Sequence, residues 1–348
     1  MTVPEPDDSS PRFRRADFRF DVSEVVPLAG RFEIAAIVVA PADLEASPGA
    51  RILCCLPGGY LSRAYFDLLV PGQHGSTTST ADRRFSFAEA MAAQGFVTLA
   101  FDHIGVGDSS RPDPIESGFE LGLEAIARAN QRALELALER LGREDEALGL
   151  PPLPDPITIG VGHSMGSMLT VEQQALARPH AALVLFSFST HGTPAFLDDA
   201  MREYANDPDR LRREIGQLAR RSMGSPYPER ARDSEENRRA AFGVGSAPQA
   251  AEDALHAAST NLLAVGGLAS MVPGGYAPAA EQIDVPVFVW VGDHDLHDDR
   301  HTRRELPRSP LVTTRTLEDC WHCHFVANTR EALWRETADW LRETLGPL

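Results

Sequence analysis

The sequence predicts an α/β protein: a mostly parallel eight-stranded sheet with helices on both faces and an inserted helical cap. Three observations predict it. Short apolar runs alternate with longer helix-patterned segments from residue 18 to the end, the pattern of strands joined by covering helices. One β-branched run, Ile157 to Val161, passes straight into Gly162-His163-Ser164-Met165-Gly166 and a helix-patterned stretch. Between residues 192 and 282 the alternation stops for an interval too long to be a loop.

The elements follow in order. Phe18 to Val26 and Phe32 to Ala40 read as an opening antiparallel pair joined at Pro27-Leu28-Ala29-Gly30. Ile52 to Leu56 is wholly apolar, as a strand buried on both faces must be. Phe85 to Gln94 reads as a helix, Phe96 to Phe101 as a strand, and Glu116 to Leu141 as a long Ala-, Leu- and Glu-rich helix. Ile157 to Val161 is the next strand, Met165 to Ala177 its following helix, and Ala182 to Phe188 another buried strand. Val285 to Val291 and Leu311 to Leu317 are the last strands. Glu331 to Leu345 closes the chain as a helix with Leu333, Trp334, Ala338, Leu341 and Leu345 on one face. Within the interruption, 196 to 205, 210 to 223 and 250 to 264 carry helical patterns, with Leu211, Ile215 and Leu218 as an apolar stripe. This divides the chain into a disordered tail (1–17), a core (18–191 and 283–348) and a cap (192–282).

Composition narrows the class. The net charge is −17, and every one of the 33 basic residues is Arg. So acidic a surface disfavours nucleic acid and anionic membrane as partners. Met1 to Asp17 is polar and Pro-containing, without a basic-apolar signal, and no apolar run reaches membrane-spanning length. The expected location is therefore the cytoplasm. Of the four cysteines, Cys54 and Cys55 lie in an apolar strand, while Cys320 and Cys323 form a C-x-x-C. That pair could be redox-active or half a zinc site, but neither a thioredoxin-like context nor a second ligand pair accompanies it.

Chemistry centres on Ser164. A Ser between Gly162 and Gly166, after a strand and before a helix, makes a nucleophile elbow, in which the glycines remove the Cβ atoms that would clash in so tight a turn. The helix N-terminus places positive backbone dipole beside it. A Ser needs a base to take its proton and an acid to orient that base. Both follow in the order Ser, Asp, His. Val287 to Val291 precedes Gly292-Asp293-His294-Asp295, and Leu311 to Leu317 precedes Glu318-Asp319-Cys320-Trp321-His322-Cys323-His324-Phe325. Asp293, Asp298 and Asp299 are other candidate acids. His294, His297 and His301 form a run that could hold a metal or be a solvated loop. His163 is expected to be structural, Asp102 to fix its loop, and His191 to face the substrate.

These motifs resemble the α/β-hydrolase superfamily, in its cap-bearing subgroup. Gly292-Asp293-His294-Asp295 is similar to the family's G-x-x-D, which implies Asp295 as the acid. Cys323-His324-Phe325 is similar to its G-H-F, which implies His324 as the base, although Cys323 stands where Gly is usual and His322 is a competitor. Asp102-His103-Ile104-Gly105-Val106-Gly107-Asp108-Ser109 resembles the D-x-x-G-x-G-x-S loop. Leu56-Pro57-Gly58-Gly59-Tyr60 resembles the oxyanion loop, with Pro57 in place of His. The resemblance implies an oxyanion hole from the backbone N–H groups of Met165 and Gly59, with Tyr60 as the alternative donor and a further substrate contact.

The expected function is a serine-dependent hydrolase of a carboxylic ester or lactone, working through an acyl-enzyme on Ser164, with no cofactor and no metal. Ser164 excludes branches of the superfamily that use an Asp nucleophile. A mid-sized hydrophobic substrate is expected, and a homo-oligomer is compatible with the chain. The segment Tyr65 to Arg84, longer than a minimal loop of the family, would suit a bulky cyclic ester, and the chain is vaguely similar to bacterial hydrolases of zearalenone-type macrolactones. Acyl transfer or carbon–carbon bond hydrolysis with the same triad is the first alternative, and a non-catalytic ligand-binding module the second.

Overall fold

The computed structural model describes residues 12–46, 48–71, 82–143, 149–229 and 235–347. β1 (Phe13–Asp21) pairs antiparallel with β2 (Glu33–Pro41) along its whole length. This corrects the expected boundary of the tail, because residues 13–17 are strand. Their sequence lacks an alternating apolar pattern, so the partner supplies the pairing that their own residues do not announce. Arg15 also ties this end down through Asp67, at 3.0 Å, and Glu89.

β3 (Arg51–Leu56), β4 (Val97–Phe101), β5 (Ile157–His163), β6 (Ala182–Phe186), β7 (Val287–Gly292) and β8 (Val312–Leu317) complete an eight-stranded sheet of order β1-β2-β4-β3-β5-β6-β7-β8. β2 meets β4 antiparallel, and the other inner pairs are parallel. Alternation along β3 sends Ile52, Cys54 and Leu56 to one apolar layer and Leu53 and Cys55 to the other. All four cysteines are buried, with no disulfide among the described residues.

α1 (Phe87–Ala92) follows the Ser86 N-cap, whose hydroxyl accepts from the Glu89 amide. α2 (Leu123–Leu141) starts at Gly122, so the long helix expected from residue 116 is a 3-10 turn (Ile115–Glu120) followed by α2. α3 (Met165–Ala177) springs from β5. Between β6 and β7 lie α4 (Asp199–Arg202), α5 (Pro208–Met223), α6 (Glu235–Phe242), α7 (Gln249–Ala257), α8 (Ala264–Met271) and α9 (Ala277–Ala280). α5 buries the stripe Leu211, Ile215 and Leu218. The single helix expected over 250–264 is instead α7 and the start of α8. α10 (Thr302–Glu305) and α11 (Arg330–Leu345) complete the set. Among the described residues no helix is long and apolar enough to cross a membrane.

Parallel order brings the C-terminal ends of β3, β5, β6, β7 and β8 to one edge, where ligands of open α/β sheets bind. The loops bearing Gly59, Ser164, Ser187, Asp295 and His322 all leave from that edge.

Candidate active site

Ser164 sits between β5 and α3 with φ +54 and ψ −121, outside the regions an L-residue ordinarily occupies. Such strain persists only where the surroundings impose it. Here the Ser164 amide donates to the Phe186 carbonyl at 2.8 Å, and the Ser164 carbonyl accepts from Ser167 at 2.8 Å. A Cβ on Gly162 would overlap the Ser167 backbone, and one on Gly166 would overlap the Leu56 carbonyl. Neither obstacle is a side chain that could rotate away. Gly166→Ala is expected to lower the melting temperature and cut turnover at least about 100-fold, because it pushes the helix off the loop after β3. Near-native activity in that variant would show that the elbow tolerates a wider turn.

The hydroxyl has a partner. His322 Nε2 lies 2.9 Å from Ser164 Oγ, and His322 Nδ1 lies 2.7 Å from Asp295 Oδ1. The imidazole that meets the serine is thus His322, not His324, which corrects the expectation drawn from Cys323-His324-Phe325. The cause is the course of the chain after β8. Asp293 accepts from the amides of Asp319 and Cys320 at 3.0 and 2.9 Å, with Asp319 in the left-handed region at φ +51. Trp321 then stacks on His294 at 4.2 Å. Phe325 sinks into the core against Tyr65 and Phe87, 4.7 Å from each ring. A 3-10 turn (His324–Val326) accompanies that descent and carries His324 out of solvent altogether. His324 Nε2 ends 3.1 Å from Asp295 Oδ2, but outside the angles of a good hydrogen bond.

The Asp295 side chain is fully buried and enclosed on both oxygens. Oδ1 accepts from Ser187 Oγ at 3.0 Å and the Leu296 amide at 2.6 Å, and Oδ2 accepts from the Gly292 amide at 3.3 Å. Burial alone would raise its carboxyl; the facing His322 and His324 outweigh that and hold it well below the usual carboxylate range. Asp298 instead binds Arg300. Ser187, which sequence reasoning passed over, also approaches His322 Nδ1 at 3.1 Å and has φ +57. A polar residue ending a buried strand was the only signal for it.

Two further histidines brace the loops. Burial, then the neighbouring His322 and His324, push His163 well below its ordinary value. As a neutral ring it donates Nε2–H to the His322 carbonyl at 2.8 Å, fixing the backbone of the loop that carries His322. Burial lowers His103 to about 4, and its Nε2 donates to the Pro57 carbonyl at 2.8 Å. Asp102, fully buried, accepts from the amides of Arg63 and Asp108 at 2.7 and 2.9 Å and pairs with the Arg63 guanidinium. It ties the loop after β3 to the loop after β4.

A cavity of about 390 Å³ opens over Ser164. Gly59, Tyr60 and Met165 line it with Ser164 and His322, as do Leu61, Phe196, Leu262, Met271 and Leu296. His191 does not line it, contrary to expectation. Its side chain is 59% exposed and packs on His301 at 4.5 Å. The chain turns at Gly192, at φ +61 against the Met271 carbonyl, and presents Thr193 to the cavity instead. The candidate metal run does not converge: His294 is on Trp321, His301 on His191, and His297 in the cavity wall. Among the described residues no group of three His, Cys, Asp or Glu side chains is placed to hold a metal ion. Half of the long segment expected to widen the pocket mouth, residues 72–81, lies outside the described residues.

Solved structures share this architecture. A peroxisomal α/β-hydrolase of Saccharomyces cerevisiae is 15% identical with a TM-score of 0.58, covering 97% of this chain and 92% of its own. An esterase from Rhodococcus sp. is 18% identical with a TM-score of 0.56, covering 96% and 100%. A proline iminopeptidase-related protein of Thermus thermophilus is 18% identical with a TM-score of 0.57, also covering 96% and 100%. At such identities the likeness is one of fold. No curated protein matches the chain. The model of the alpha/beta hydrolase family matches residues 52–335, well over half of the sequence and every strand from β4 to β8, and the chain therefore belongs to that family.

Proposed function

We propose that this protein is a serine hydrolase of neutral carboxylic esters or lactones, with Ser164 as nucleophile, His322 as base and Asp295 as orienting acid. The 2.9 Å approach of His322 Nε2 to Ser164 Oγ, backed by Asp295 at 2.7 Å, carries the reading. His322 takes the hydroxyl proton as Oγ bonds to the ester carbonyl carbon. The resulting oxyanion is received by the backbone N–H groups of Met165 and of Gly59 or Tyr60. Collapse breaks the bond to the alcohol, which leaves with the proton from His322. Water, deprotonated by the same ring, then releases the acid and restores Ser164. In this reading α4 to α9 act as the lid over the acyl or alcohol portion.

The cavity wall supports the substrate class. Among the described lining residues none carries a formal charge, and the larger ones are apolar. A carboxylate or ammonium on the substrate would lose its hydration without compensation. The test is product analysis by mass spectrometry on acyclic aryl esters of rising chain length, a macrocyclic lactone, and analogues bearing a carboxylate or an ammonium. Turnover of the neutral compounds is expected, with the charged analogues slower by at least about 10-fold. A preference for the charged analogues would overturn the substrate class, and absence of any ester cleavage would overturn the reaction.

A further inference from the structure

Ser187 follows β6 directly, is buried, and has φ +57. A non-glycine residue in the left-handed region carries strain that glycine would avoid. The backbone there is fixed without the side chain, because the Ser187 amide donates to the Trp290 carbonyl at 2.8 Å. Glycine would serve this turn at least as well, so what serine adds is its hydroxyl.

Both neighbours of that hydroxyl are groups of the proposed mechanism. Ser187 Oγ lies 3.0 Å from Asp295 Oδ1 and 3.1 Å from His322 Nδ1, and those two atoms are 2.7 Å apart. The three close a triangle, and its hydrogens can be placed. The Asp295 carboxylate only accepts, so the serine proton points to it. His322 takes the Ser164 proton at Nε2, so Nδ1 carries hydrogen in the reactive tautomer. Asp295 Oδ1 then faces three donors: Nδ1–H, the Ser187 hydroxyl and the Leu296 amide at 2.6 Å. A carboxylate oxygen offers two lone pairs. The Ser187 oxygen keeps its own lone pairs free, within hydrogen-bond distance of the same Nδ1–H. The ring hydrogen is therefore shared between carboxylate and hydroxyl.

We propose that Ser187 is a positioning residue for the base: its oxygen is a second acceptor for His322 Nδ1–H, and it holds the ring and its tautomer together with Asp295. The inference rests on the reading of His322 as the base of Ser164. It differs from simple support of the carboxylate, because a hydroxyl that served only Asp295 would have no effect once that carboxylate is removed.

The experiment is a double-mutant cycle of Ser187→Gly, Asp295→Ala and the pair, with kcat and KM measured on a neutral aryl ester and melting temperatures alongside. Ser187→Gly is expected to lower kcat about 10-fold at unchanged KM, since orienting the base matters in the transition state and not for substrate binding. Asp295→Ala is expected to lose about 10³-fold, and adding Ser187→Gly about 10-fold more. No further loss in the Asp295→Ala background would overturn the second acceptor. Where Asp295→Ala does not fold, Ser187→Gly alone decides, and a kcat within about twofold of wild type would overturn it. A second readout needs no turnover. In Ser164→Ala, the NMR shifts of the His322 ring nitrogens report which of them carries the hydrogen. The Nδ1–H form is expected to persist when Asp295→Ala is added and to give way to a mixture when Ser187→Gly joins it. A mixture already present before Ser187 is replaced would count against the proposal equally. The expected tautomers in an enzyme that cleaves no ester would sink the proposed reaction and leave the role of Ser187 standing.

Discussion

His322→Ala is expected to lower kcat/KM by about 10⁴-fold or more, whereas His324→Asn should lower it by no more than about 100-fold. The first removes the only imidazole within hydrogen-bond distance of Ser164 among the described residues, leaving the hydroxyl at its ordinary, weakly nucleophilic acidity. The second removes a buried ring that stands 3.1 Å from the far oxygen of Asp295. Ser187 and the amides of Gly292 and Leu296 still hold the carboxylate, so the His322 tautomer survives. Asn retains a polar hydrogen for Asp295 and limits the cavity left behind. Kinetics on a neutral aryl ester, with melting temperatures measured alongside, decide the assignment. The reverse ranking in two folded variants would return the base to His324.

Ser164→Ala is expected to abolish turnover, a loss of about 10⁶-fold, while leaving the fold intact. The substitution deletes one oxygen, and the backbone bonds that hold residue 164 in its strained conformation, to Phe186 and Ser167, do not involve the side chain. Adding His322→Ala should make the enzyme hardly worse, because in the proposed mechanism nucleophile and base act as one unit. A fluorophosphonate should add one phosphonyl group to the wild type at Ser164 and none to Ser164→Ala. Multiplying losses in the double variant, or labelling at another residue, would show that Ser164 and His322 are not one machine.

Much of this was legible in the chain itself. Short, fully apolar runs such as Ile52 to Leu56, alternating with longer helix-patterned segments, are the pattern of strands covered on both faces, and the parallel sheet follows from that alternation. The elbow was equally plain, because glycine is required on both sides of Ser164 wherever a Cβ would meet backbone. A parallel sheet also places the residues that follow its strands on one edge, where ligands bind; the order of the strands was read from the structure.

What only the tertiary structure decided was side-chain direction within loops. His322 and His324 are two residues apart, and in an extended segment both point the same way. The burial of Phe325 against Tyr65 and Phe87, with the 3-10 turn it accompanies, separates them. The positive-φ turn at Gly192 likewise put Thr193, not His191, in the wall. Ser187 became part of the site through partners more than 100 residues away, Asp295 and His322. Even residues 13–17 became strand only because β2 lay beside them. Local sequence carries periodicity and backbone necessity, which depend on near neighbours. Which side chain meets which across a cavity depends on packing between distant segments, and that physics is absent from any local window.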